Sequence, residues 1–197
     1  MRRWAAVAAS LFCLQAYAGN QIYEPLADSV RQRLSRMVSD QAPARLHFDS
    51  VHEGRRWIEE MDKRLAPRMP DRQQRLELLR AVHYEALRAR LDPQLVLGLI
   101  EVESGFRKYA VSRAGARGYM QVMPFWVKLI GQPSHNLFHL RTNLAYGCAI
   151  LRHYLDLERG DYFRALGRYN GSLGKPEYPN LVLAAWRGRW KYDGPTA

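Results

Sequence analysis

Cysteine is almost missing from this chain of 197 residues: only Cys13 and Cys148 occur, and two thiols so far apart give no disulfide framework to staple a fold. Acid is scarce as well. Against 30 Lys and Arg stand 19 Asp and Glu, a formal charge of +11, which favours polyanionic partners such as nucleic acid, anionic lipid or a carboxylate-bearing polymer. Runs that alternate apolar and polar residues are lacking, so nothing supports a sheet. Past residue 18 no stretch offers the ~20 consecutive apolar residues of a membrane-spanning helix. His135 and His139 have metal-like spacing, but no cysteine or paired acid accompanies them and Pro133 marks a loop, which argues against a metal site. Internal repeats and low-complexity tracts are also missing. What remains is enough chain for one ordinary domain with its own core.

The first 18 residues read as a secretory leader: Arg2 and Arg3, an apolar middle from Trp4 to Leu14, then the small-x-small site Ala16-Tyr17-Ala18. Cleavage would start the mature chain near Gly19, leave Cys148 as its one thiol, and reduce the charge to +9. Export counts against nucleic acid as the partner.

Apolar residues then recur at helical spacing throughout, and the fold class is all-α. Two helical stretches, 25–39 and 50–66, precede a linker at 67–70. Asp71 with Gln74 forms a capping box for a helix carrying Leu76, Leu79, Val82, His83, Ala86 and Leu87 inward and its arginines outward. Asp92-Pro93 starts the next helix, 93 to about 104, which is apolar nearly all round and so should be the central buried helix, ended by Gly105. Further helices are expected over 124–130, after a cap at Thr142, after a cap at Asp161, and beyond Pro179 with Leu181, Val182, Ala185 and Trp186 facing in.

The stretch from Ile100 to Pro124 carries the chemistry. It places two acids, Glu101 and Glu103, at the end of a buried helix, where the helix dipole and apolar neighbours both disfavour a carboxylate. A general acid working near neutral pH needs such a setting. The helix is apolar all round, so spacing alone leaves open which acid it is. Around them, Ser112, Gln121 and Asn170 offer neutral donors and acceptors, Tyr109, Tyr119 and Tyr169 flat rings with polar tips, and Met120 and Met123 adaptable apolar contact. Sugars require this mixture of hydrogen-bonding groups and flat apolar surface.

Five pieces occur in order: Glu103-Ser104-Gly105-Phe106; Ala110-Val-Ser112; Gly115-Ala116-x-Gly118-Tyr119-Met120-Gln121-Val-Met123-Pro124; Asn143-Leu with Gly147 and Tyr154-Leu155; and Arg168-Tyr169-Asn170-Gly171. Through them residues 83–186 closely resemble the soluble lytic transglycosylase (SLT-type) catalytic domain, a lysozyme-like all-α fold that cleaves peptidoglycan. The resemblance implies that Glu103, not Glu101, is the single catalytic acid. It also implies that Ser112, Gln121, Met123 and Tyr169 contact substrate; Tyr119 and Asn170 complete the expected groove. Tyr119 departs from the leucine more usual in the family, and Lys175-Pro-Glu-Tyr-Pro179 matches the family's closing motif only loosely, so no site residue comes from it.

The implied reaction cleaves the β-1,4 bond between N-acetylmuramic acid and N-acetylglucosamine and closes a 1,6-anhydro ring, with no cofactor or metal. The implied organisation is a leader over 1–18, a helical extension over 19–70 and a catalytic domain over 71–197, in a periplasmic monomer acting on glycan strands. The extension is a candidate contact for an envelope or secretion machine. A goose-type lysozyme would hydrolyse the same bond but needs a second carboxylate, for which Asp156, Glu158, Asp161 and Glu177 lie outside the motif. A third alternative is a weakly active wall-binding protein.

Overall fold

The computed structural model describes residues 21–40 and 42–194, and the expected leader lies outside them. Among the described residues the chain forms eight helices and no strand: α1 (Asp28–Val38), α2 (Val51–Leu65), α3 (Arg72–Arg88), α4 (Pro93–Ser104), α5 (Phe125–Ile130), α6 (Leu140–Leu157), α7 (Tyr162–Asn170) and α8 (Glu177–Arg187). The caps expected at Asp71, Asp92 and Asp161 are made. Asp71, Asp92 and Asp161 accept from the backbone N–H groups of Gln74, Gln94 and Arg164 at 3.1, 2.7 and 3.0 Å, satisfying donors that a helix start leaves without partners.

Helix α4 is the axis of the molecule. Leu95, Val96, Leu97, Leu99 and Ile100 are fully buried, as an all-round apolar helix requires. At Gly98 a Cβ would sit 3.0 Å from the backbone N of Trp186 and 3.3 Å from the carbonyl O of Val182. The missing side chain therefore lets the backbones of α4 and α8 close on each other. Because Gly98 meets the end of α8 and Glu103 meets its start, the two helices run antiparallel. Trp186 Nε1 donates to Asp92 at 2.9 Å and Trp57 Nε1 to Gln94 at 3.1 Å, tying the start of α4 to α8 and α2.

The described part of the extension shares this core: Leu34 and Val38 of α1, and Trp57, Met61 and Leu65 of α2, are buried in the same cluster as α3–α8. Asp40, just after α1, accepts from Tyr84 at 2.9 Å and pairs with Arg88 and Arg141, which also hold the buried Glu85 at 2.7 Å each. Burial pushes the Glu85 carboxyl up, and the two arginines oppose it.

Four local expectations are corrected. Helix α6 starts at Leu140 with His139 at its cap position, so Thr142 lies inside it; His139 O already accepts the Asn143 N–H, closing the first turn earlier. Helix α8 starts at Glu177, which puts Tyr178 and Pro179 inside its first turn rather than in a loop; proline's fixed φ and missing N–H are harmless there. Leu181 is exposed, while Arg75 is buried because Asp62 and the carbonyls of Met69 and Pro70 accept its protons. Cys148 packs in the core as a small apolar residue, and burial drives its thiol well above the usual range.

One pH dependence follows from α6. Burial, with Arg33 and Arg168 nearby, lowers His153 below its ordinary 6.5, opposed by Asp156 and Glu24. The unfolded chain then takes a proton that the folded chain refuses, so this stability is complete above 6.5 and falls as the pH drops below it. Thermal melts across that range should show the decline, and His153→Gln should flatten it; an unchanged slope in the variant would assign the decline to other groups.

Candidate active site

Glu103 lies in the last turn of α4 and is 1% exposed. Its Oε1 accepts a hydrogen bond from the Tyr178 hydroxyl at 2.6 Å. Burial penalises an ionised carboxyl here while the short bond favours it. The effect on the tyrosine is one-sided: burial first, then the Glu103 charge and the hydrogen bond, hold the Tyr178 phenol well above its ordinary value. Sequence reading missed Tyr178. The signal was present in Glu177-Tyr178-Pro179, an acid and a proline suited to a first helical turn, but reading the segment as loop hid it.

Glu101, two residues earlier, is rotated by about 200° around the helix axis. Its Oε1 accepts from Arg68, in the turn after α2, at 2.9 Å and pairs with Arg189 of the C-terminal segment, and its Oε2 accepts from Trp190 Nε1 at 2.6 Å. All its partners are structural, and none belongs to the loop that follows α4.

That loop is a small knot of backbone hydrogen bonds. Gly105, at φ 57, ends α4 in the left-handed conformation. Gly118 N–H donates to Ala110 O at 2.9 Å, and Arg117 and Val122 exchange bonds of 3.0 Å in both directions. Asn143, fully buried on α6, locks the knot: Oδ1 accepts from Met120 N–H at 2.8 Å, and Nδ2 donates to Arg117 O and Leu137 O at 2.8 and 2.9 Å. Gly118, at φ 77, has to be glycine, since a Cβ would lie 2.4 Å from Asn143 Nδ2 and 2.6 Å from Leu137 O.

The expected groove residues can now be located. Ser112 is half-buried and its Oγ accepts the Ala116 N–H at 3.0 Å, so the hydroxyl proton remains to be donated. Gln121, buried and at φ 48, gives its Nε2 to Ala110 O and Gly118 O, which leaves the amide oxygen as what it can offer a ligand. Tyr169 is buried and donates to Met120 O at 2.8 Å; burial and the charge of Glu103 drive its phenol far up, so it offers a ring and an accepting oxygen. Asn170 ends α7 beside it and is 6% exposed. Tyr119 is buried and its phenol is pushed up to about 12, chiefly by that burial. Met123 is half-buried, and its N–H donates to Gln21 at 3.3 Å.

Met120 is a correction. It is fully buried, and a Cβ on Gly147 would meet its sulfur at 2.3 Å, so the thioether fills the notch on α6 and belongs to the core rather than the groove. Tyr109 is exposed, against Phe138 at a centroid distance of 5.9 Å. His135 is a structural contact of Tyr146, with Nδ1 2.8 Å from the hydroxyl.

Three known relatives resemble this arrangement in sequence, and one family model spans it. The model described as "Transglycosylase SLT domain" matches residues 80–178. A protein named transglycosylase from Enterobacteria phage PRD1 is 36% identical over 100 residues, covering 47% of this chain and 37% of its own length. A membrane-bound lytic murein transglycosylase C from Histophilus somni (strain 2336) is 36% identical over 104 residues, covering 43% of this chain and 28% of its own. Its namesake from Actinobacillus pleuropneumoniae serotype 5b (strain L20) is 50% identical over 48 residues, covering 24% and 13%. The chain thus spans well under half the length of these relatives.

Proposed function

Because this chain belongs to the Transglycosylase SLT domain family, we propose that it is a lytic transglycosylase of peptidoglycan with Glu103 as its single acid–base residue. The observation that carries the reading is Glu103 itself, a buried carboxyl at the end of the central helix with Tyr178 hydrogen-bonded to it at 2.6 Å. The relatives' names, with "murein" and "membrane-bound" in them, support the substrate and a place outside the cytoplasm. The basic surface suits a polymer whose peptides carry carboxylates. The leader at 1–18, the extension at 19–70 and the catalytic domain at 71–197 remain the organisation we propose, in a periplasmic protein.

In the reaction, Glu103 gives its proton to the glycosidic oxygen as the bond to the muramoyl C1 breaks, and the sugar's own N-acetyl oxygen steadies the cation that develops. Glu103, now ionised, takes the proton of the muramoyl C6 hydroxyl, whose oxygen closes on C1. One C–O bond is broken and one formed, no water enters, and the carboxyl ends protonated as it began. A hydrolase of the usual kind would need a second carboxylate roughly 5–9.5 Å from the first. Of the four acids that sequence offered, Asp156 and Glu158 pair with arginines and Asp161 caps α7, while Glu177 is an exposed residue in the first turn of α8.

Purified cell-wall sacculi should be solubilised by the mature protein without one new reducing end per cut. Reducing ends in step with solubilisation would identify a hydrolase, and no solubilisation would leave a wall-binding protein.

Tyr178 is assigned the task of positioning Glu103. Tyr178→Phe keeps the ring and removes the donor, a loss of ~1.5–3 kcal/mol for a hydrogen bond to a charged group. The expected result is a roughly tenfold or greater fall in kcat with KM nearly unchanged, together with a lower melting temperature because a buried carboxyl loses its donor. A rise in KM alone would make Tyr178 a substrate contact instead.

A further inference from the structure

Several cationic side chains of this protein are engaged within the fold. Arg64, Arg68, Arg75, Arg88, Arg141 and Arg168 are each spent on a carboxylate of the fold. Arg117 and Lys128 are not, nor are other exposed cations such as Arg55 and Lys63; what sets Arg117 and Lys128 apart is where they lie. Both line the same cavity of about 900 Å³, together with Ser134, His135, Asn136 and Phe138, and no Asp or Glu lines it.

This cavity adjoins the candidate groove. Arg117 belongs to the knot that presents Ser112 and Gln121, and Pro124, on its wall, directly follows Met123. The backbone of Arg117 is held at both ends by Val122 and its carbonyl also by Asn143, while its guanidinium lies 5.9 Å from the Phe138 ring centroid. A fixed backbone with an unspent cation over a ring is suited to a carboxylate on a partly apolar chain. Lys128, on the same lining, supplies a second positive charge, and Ser134 and Asn136 supply neutral hydrogen-bonding groups for amides.

We propose that this cavity binds the free carboxylates of the short peptide that peptidoglycan carries on its muramoyl lactyl group, with Arg117 and Lys128 as the anion-binding pair. The inference rests on the peptidoglycan reading above and adds a second recognition element to it. The enzyme then reads peptide-bearing strands in preference to denuded ones.

The test is binding, which does not depend on turnover. A soluble muramoyl tetrapeptide and its fully amidated form are titrated into the mature protein and followed by NMR chemical shifts. The acidic form should bind roughly tenfold more tightly, as two exposed charge contacts allow, with shifts at Arg117, Lys128 and Phe138. Arg117→Glu with Lys128→Glu should erase the difference, while Arg55→Glu with Lys63→Glu, an equal change of charge on α2, should preserve it. Equal binding of the two ligands, or equal loss in both double variants, overturns the proposal. Wall cleavage without peptide discrimination would also overturn it; discrimination without cleavage would support the cavity and refute the activity.

Discussion

Glu103→Gln is expected to lower turnover on sacculi by at least ~10²–10⁴-fold, the range for removal of one acid–base catalyst, with no loss of thermal stability. Glutamine keeps the size of the side chain and can still accept the Tyr178 hydroxyl at the position of Oε1. What it cannot do is give a proton to the leaving oxygen or take one from the C6 hydroxyl. A neutral amide also carries a smaller desolvation cost than a carboxylate in a site 1% exposed. Glu101→Gln should do the reverse. Its carboxylate joins Arg68, Arg189 and Trp190, so the variant should lose ~1–3 kcal/mol of stability and keep most of its activity. Parallel assays of cleavage and melting read this crossed pattern directly. A dead, still-folded Glu101→Gln would move the acid to position 101, and an active Glu103→Gln would remove the single-acid mechanism.

Asn143→Leu is the largest expected effect on the fold. The leucine has about the same volume, but it strands the Met120 N–H and the Leu137 carbonyl in the core; Arg117 O keeps its bond from Val122. Two buried backbone groups left without partners cost ~2–5 kcal/mol, which for a chain of this length corresponds to a fall of roughly 5–20 °C in melting temperature. Because the knot carries Ser112 and Gln121, kcat/KM should fall as well at temperatures where the variant is folded. A variant that melts within a degree or two of the parent would show that the knot holds itself.

Much of this architecture was legible because it is local. The capping acids at 71, 92 and 161 announce their helices with nearest-neighbour chemistry, and the run from Leu95 to Ile100 can only be a buried helix. What stayed hidden depends on contacts between distant parts of the chain. The choice between Glu101 and Glu103 needs the surroundings of α4: Tyr178 lies 75 residues from Glu103 and Trp190 lies 89 residues from Glu101. In sequence only the family resemblance separated the two acids. Gly98 gave no sign that α8 packs on it, because a glycine inside a helix looks like a propensity cost until its neighbour is known. Met120 was assigned to the groove because an adaptable thioether suits either setting, and only the notch at Gly147 decides it.

The two candidate reactions differ in whether the muramoyl C1 is attacked by the sugar's own oxygen or by water. Digestion of sacculi in water enriched in ¹⁸O, followed by mass spectrometry of the released muropeptides, asks this without reference to any variant. The prediction is muropeptides ending in a 1,6-anhydro ring, with no heavy oxygen at the new end. Products heavier by one water and carrying the ¹⁸O label would contradict it and make the protein a lysozyme.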